Sequence, residues 1–203
     1  MKPEERKNRI LDCAKRLFSK NGYHNTQISD IISEAGIARG TIYQYFQNKE
    51  DLFSSLLDSL YRGLEGSIII SPEEVKKYMA RPGSYLGYRI KRTLEYFYSD
   101  RDLCSIVLRI TQGLQPEFGH LIRRFENKLM ELLKGDIELG KKHSTVRKDI
   151  DTELTANLIA GALFRISYNY FLSDNPRHGR VDIDEITEKI VSIFMKGLFL
   201  ETS

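Results

Sequence analysis

No apolar run in this sequence approaches the ~20 residues needed to cross a bilayer. The opening residues, Met1-Lys2-Pro3-Glu4-Glu5-Arg6, are charged and lack the apolar core of a secretion signal. Neither membrane insertion nor export is expected, and a cytoplasmic location fits. Cysteine is scarce: Cys13 and Cys104 each fall on an apolar helical face. A buried small hydrophobe suits both better than a bridge, as in a reducing compartment. His120, His143 and His178 are scattered, with no pair at metal-ligating spacing, and His24 reads as a loop histidine. No glycine-rich phosphate cradle and no Ser/His/Asp constellation stands out. Catalytic residues, metal ligands and cofactors are therefore not expected. Repeats and low-complexity tracts are missing too. The one run resembling a strand, Ile68-Ile69-Ile70, has no partner strand anywhere.

What remains is helix. Apolar residues recur at helical spacing along most of the chain, which predicts an all-α fold of about four N-terminal helices followed by five or six. The first runs from about Pro3 to Lys20, with Ile10, Ala14, Leu17 and Phe18 inside and Glu4 and Glu5 complementing the dipole. Net charge is +3 overall, and residues 1–50, with 9 Lys+Arg and 6 Asp+Glu, carry the whole excess. Its sign suits phosphate binding there.

The stretch from Gln27 to Phe46 organises the N-terminal part. Ile28, Ile31, Ile32 and Ala35 give one apolar face, Thr26 stands at the N-cap position, and Gly36 follows where a left-handed residue ends a helix. Ile37 fills the corner. A second helix starts near Arg39 and turns Ile42 and Phe46 inward. Arg39, Gly40, Thr41, Tyr43, Gln44 and Tyr45 are left outward near a helix N-terminus, which is the anatomy of a helix-turn-helix that enters the major groove. Asn48, with Asp51 three residues on, caps a fourth helix striped with Leu52, Phe53, Leu56, Leu57 and Leu60.

Ala35-Gly36-Ile37-Ala38-Arg39-Gly40-Thr41-Ile42-Tyr43-Gln44-Tyr45-Phe46, followed by Asn48-Lys49-Glu50-Asp51-Leu52, resembles the signature of the TetR family of transcriptional regulators. The likeness spans roughly residues 5–60. One departure is Ala38, where the family often has a capping Ser or Thr. The resemblance implies a three-helix DNA-binding domain over 1–48, a linking helix over 49–66, and a helical ligand-binding and dimerisation domain over 67–203. It also implies a homodimer on palindromic double-stranded DNA, usually a repressor, released by a small-molecule effector. Arg39 and Tyr43 would read bases and Gly40 would let the backbone approach. Thr26, Thr41, Tyr45 and Lys49 would hold phosphates, with Gln44 in the same surface. The alternative is a DNA-binding regulator controlled by a protein partner or bound constitutively.

In the C-terminal part, Ser71-Pro72-Glu73-Glu74 marks a helix start and Arg81-Pro82-Gly83 a break. The segment 152–173 is apolar around most of its girth, so it is either a central core helix or a helix facing both its own core and a second subunit. Leu158, Gly161, Ala162 and Arg165 share one face of it. Ile186, Ile190, Phe194 and Gly197 form a second seam on the last helix, and the resemblance implies that both seams pair across a dimer. Aromatics are dense in the middle helices, with arginines near them on the helical net, as in small-molecule sites. Tyr85, Arg89, Thr93, Phe97, Ile110, Phe125, Phe164 and Tyr168 are the candidates to line an effector cavity.

Overall fold

A computed structural model describes residues 2–81, 83–111, 119–172 and 181–196. Among them there is no strand. The helices are α1 (Pro3–Asn21), α2 (Ile28–Ala35), α3 (Arg39–Ile42), α4 (Lys49–Ile68), α5 (Pro72–Met79), α6 (Ser84–Ser99), α7 (Arg101–Thr111), α8 (Gly119–Lys142), α9 (Thr152–Ser167) and α10 (Ile183–Lys196); a π-helical turn, Tyr168–Leu172, extends α9. The fold is all-α, with a helix-turn-helix near the N-terminus. Two compact units divide it: residues 1–63 with 100–126, and residues 64–99 with 127–203. This partition is not a single cut near residue 66. Helix α4 runs unbroken through Gly63 and Gly66 to Ile68, and α7 belongs with the first unit.

In the first unit, Ile10, Ala14 and Phe18 of α1, Ile31 and Ala35 of α2, Ile42, Phe46, and Leu52 and Phe53 of α4 form the core. Phe18, Tyr23 and Phe53 make an aromatic cluster with ring centroids 5.0–5.4 Å apart. Helix α1 also packs on α7, where Lys15 and Asp100 pair at 2.5 Å. Cys13 and Cys104 are buried free thiols, and burial pushes that of Cys104 up to about 12. Gly36 ends α2 in the left-handed conformation (φ 61°), as its position predicts. The N-cap of α2 is Gln27, however, not Thr26, and the Asp30 carboxylate accepts from the Gln27 N–H at 2.7 Å. Asn48 accepts from the Asp51 N–H at 2.8 Å and so starts α4.

In the second unit, α6 buries Ile90, Leu94 and Phe97, and α9 buries Ala156, Ile159 and Leu163. Helix α10 lies close along α6 because Gly83 and Gly87 present no side chain to Met195 and Val191. Gly135 does not interrupt α8. At the end of α8 the loop 143–151 folds back, and a Cβ placed on Gly140 would stand 2.5 Å from Val146 Cγ2. Valine is stiff at χ1 and cannot swing aside. Gly140→Ala should cost about 1–3 kcal/mol, as overpacking does. Thermal denaturation checks this: an unchanged melting temperature would mean that the loop moves freely.

Candidate nucleic-acid interface and ligand cavity

Helix α3 is a single turn of four residues. Tight turns continue it, with Gln44 N–H donating to Thr41 and Phe46 N–H to Ile42. Its inner side is Ile42, buried with Phe46, and this anchors the turn against the core. Its outer side is what the sequence predicts. Arg39, Gly40, Tyr43 and Gln44 are exposed, and Thr41 and Tyr45 are half-buried. Tyr43 is 47% exposed. Around Gly40 nothing lies within 4 Å of where a Cβ would stand, so the backbone is open to approach. Ala38 at the cap position makes no side-chain cap bond.

Two of the expected phosphate contacts sit elsewhere. Thr26 is fully buried, and its hydroxyl donates to the Gly22 carbonyl at 2.8 Å with the Leu17 carbonyl at 3.2 Å. It locks the α1–α2 turn. The Lys49 ammonium donates to the carbonyls of Tyr23 and Thr26, both at 2.9 Å, and lies 4.3 Å above the Tyr23 ring. Burial holds its pKa below the ordinary lysine value. The first turn of α4 is thereby tied to the loop before α2.

The second unit contains a cavity of about 330 Å³, within the range of small-molecule sites. Its walls are mostly apolar: Ile68 from the end of α4, Leu86 and Ile90 from α6, Leu132, Leu133 and Ile137 from α8, and Ile159 and Leu163 from α9. Tyr85, Arg89 and Thr93, one turn apart on α6, line it. Phe97 instead is buried beside Phe164 (centroids 6.4 Å apart), and neither lines the cavity. Tyr168 is exposed and does not line it either. The side chains of Ile110 and Phe125 lie outside the described residues. Asp136 of α8 is the participant the sequence does not reveal. It accepts from Tyr85 Oη at 3.0 Å and from Arg89 Nε at 2.7 Å. Burial raises the Asp136 carboxyl, opposed by Arg89, while burial and Asp136 push the Tyr85 phenol up to about 12. Tyr85 therefore stays a donor at neutral pH. Arg89 Nη1 also donates to the Ile68 carbonyl at 3.0 Å, and Arg92 Nε to that of Ser67 at 2.9 Å. No basic residue stands in the last turn of α4, so these α6 arginines cap it. Arg81 and Arg147 line the cavity while remaining exposed, and Asp149 balances the charge of Arg147 at 2.6 Å.

A third feature is apolar. On α9, Leu154 and Leu158 are 59% and 57% exposed, and Gly161, Arg165 and Tyr168 continue the same outward line, with Ala162 half-buried beside it. On α10 the expected seam residues are not all turned outward. Ile190 is buried in the core, Ile186 is half-buried, and Phe194, partly exposed, lines the cavity. Ile193 and Met195 are exposed there as well, and Gly197 lies outside the described residues. Among the described residues no cluster of His, Cys, Asp or Glu could hold a metal ion, and no helix is long and apolar enough to cross a membrane.

The family model for bacterial regulatory proteins of the tetR family matches residues 10–56, the helix-turn-helix and the start of α4. The chain is 25% identical over 189 residues to the fatty acid metabolism regulator protein of Bacillus subtilis (strain 168), covering 93% of each chain. It is also 25% identical over 201 residues to the HTH-type transcriptional repressor KstR2 of Rhodococcus jostii (strain RHA1), covering 95% of this chain and 91% of that one. Among solved structures it is similar to the transcriptional regulator FadR from Bacillus subtilis in complex with stearoyl-CoA, with a TM-score of 0.77, 25% identity, and coverage of 95% of this chain and 99% of that one.

Proposed function

Because this chain belongs to the TetR family of bacterial regulatory proteins, we propose that it is a repressor that binds a palindromic operator as a homodimer and leaves it when an acyl thioester fills the cavity of the second unit. The observation that carries the DNA part is the outward row Arg39, Gly40, Tyr43 and Gln44 on a helix-turn-helix, with empty space over Gly40. Arginine meets guanine with two parallel hydrogen bonds, and hydroxyls meet phosphate oxygens. The effector part rests on an apolar cavity with basic exposed residues, and on a relative solved with stearoyl-CoA. An acyl chain suits the apolar walls, and the anionic head of a thioester suits the exposed Arg81.

Release follows from one continuous element. Helix α4 begins at Lys49, next to the reading turn, and ends at Ile68, whose side chain lines the cavity and whose carbonyl is held by Arg89. A ligand against Ile68 and Arg89 favours one setting of that end over another. Two heads must meet major-groove faces one helical turn apart, so a small tilt of α4 in each subunit misaligns them. The ligand acts only through its differential affinity, typically about 1–3 kcal/mol of coupling.

Selection of bound sequences from random duplexes, followed by gel shifts with and without decanoyl-CoA, tests the whole reading. A two-fold site that the thioester releases is expected; failure to enrich any sequence would sink it. Within that assay Arg39→Ala should cost about 1–3 kcal/mol and relax preference at one position of each half-site. Gly40→Ala is sharper. With open space around it, alanine should leave the fold intact or stabilise the turn by up to about 1 kcal/mol. Operator affinity should nonetheless fall, because a methyl group stands where the backbone meets DNA. Wild-type affinity for this variant would remove α3 from the interface.

A further inference from the structure

Every hydroxyl on the cavity wall is already committed inside the protein. Tyr85 donates to Asp136 at 3.0 Å, Thr93 to the Arg89 carbonyl at 2.8 Å, Thr145 to the Gly140 carbonyl at 3.2 Å, and Thr155 to the Asp151 carbonyl at 2.6 Å. Arg147 is held by Asp149 through two bonds of 3.0 and 2.6 Å. Arg89 differs. Its Nε and Nη1 are bonded, but its Nη2 has no hydrogen-bond partner among the described residues. One largely buried guanidinium edge is left to be satisfied, on a cation whose charge Asp136 already balances at 2.7 Å.

The consequence is electrostatic. A carboxylate brought to Arg89 would be a second anion beside one cation, and the site would hold a net charge out of water, which is costly. An uncharged carbonyl accepts the same N–H and buries no charge. We infer that the cavity takes an acyl chain whose carbonyl is uncharged, as in an ester or thioester, and excludes the free fatty acid, with the Arg89–Asp136 pair as the discriminating element. This rests on the reading of the cavity as an acyl-chain site.

Methyl decanoate, sodium decanoate and decanoyl-CoA, each titrated by calorimetry into the full chain, separate the possibilities. The methyl ester should bind at least about tenfold tighter than decanoate at neutral pH. Asp136→Asn keeps the shape of the side chain and one acceptor oxygen, enough for Arg89 or Tyr85 but not both, and leaves the guanidinium charge unbalanced. In that variant decanoate should gain about tenfold while the ester changes little, a gain that misfolding cannot produce. If ester and acid bind the wild type equally, or the folded variant shows no gain for the acid, the inference is overturned and the acyl-chain reading stands. If none of the three binds, the acyl-chain reading falls and the inference with it. Should Asp136→Asn fail to fold, the ester–acid comparison on the wild type decides alone.

Discussion

Leu158→Arg is expected to turn the protein into a monomer and to weaken operator binding by at least about a hundredfold, the usual scale of the gain from joining two heads in one body. Leu158 is 57% exposed at the middle of the outward line on α9, flanked by Leu154 and Gly161. In the proposed homodimer, these two large apolar side chains one turn apart, beside a glycine that permits close approach, are the face offered to the second copy. A two-fold interface sets this face against its own copy, so one substitution enters twice. The new guanidinium would face its symmetry mate and Arg165 on the same line, and burying such charge unpaired is strongly unfavourable. In the separate subunit the same side chain reaches water, and its effect on folding should stay within about 0.5 kcal/mol. Sedimentation should therefore show a folded monomer with an unchanged melt. A stable dimer with wild-type affinity would place the interface elsewhere.

The reading turn was legible in the sequence because its determinants are contiguous. Gly36 must accept a positive φ, Ile42 and Phe46 must face in, and the residues between them have only the outside left. The cavity was half legible. Tyr85, Arg89 and Thr93 fall on one face of α6 by spacing alone. Asp136, Val146 and Ile68 reach the same space from other elements, and no local pattern announces a carboxylate 47 residues from its arginine. Phe97 and Phe164 show the opposite failure: an aromatic at helical spacing satisfies core and cavity equally, and here Phe97 is buried in the core, Phe164 is half-buried beside it, and neither lines the cavity. Ile190 and Ile193 repeat it on α10, where apolar residues occupy two faces and only packing against α6 decides which turns outward.

Lys49 illustrates what a motif conceals, and Lys49→Met should expose it. In the sequence the residue is a cation near a reading helix, which suggests a phosphate contact. In the fold its ammonium bridges the Tyr23 and Thr26 carbonyls at 2.9 Å each, over the face of Tyr23. Two of its three N–H groups are thus committed to the loop that also buries Thr26. Methionine retains the stem but offers no donor, leaving both carbonyls without that partner. Hydrogen bonds from a charged donor are worth about 1.5–3 kcal/mol each, and part is regained from water, so a loss of about 2–4 kcal/mol in the first unit is expected. DNA binding should fall with it, because the α2–α3 frame is held against α4 by this contact. The salt dependence separates the two roles. A lost phosphate contact lowers the slope of log affinity against log salt by about 0.9. A lost internal tie lowers affinity and melting temperature while that slope stays as in the wild type, and this second pattern is the expected one. An unchanged melt with a slope reduced by one contact would return Lys49 to the phosphates.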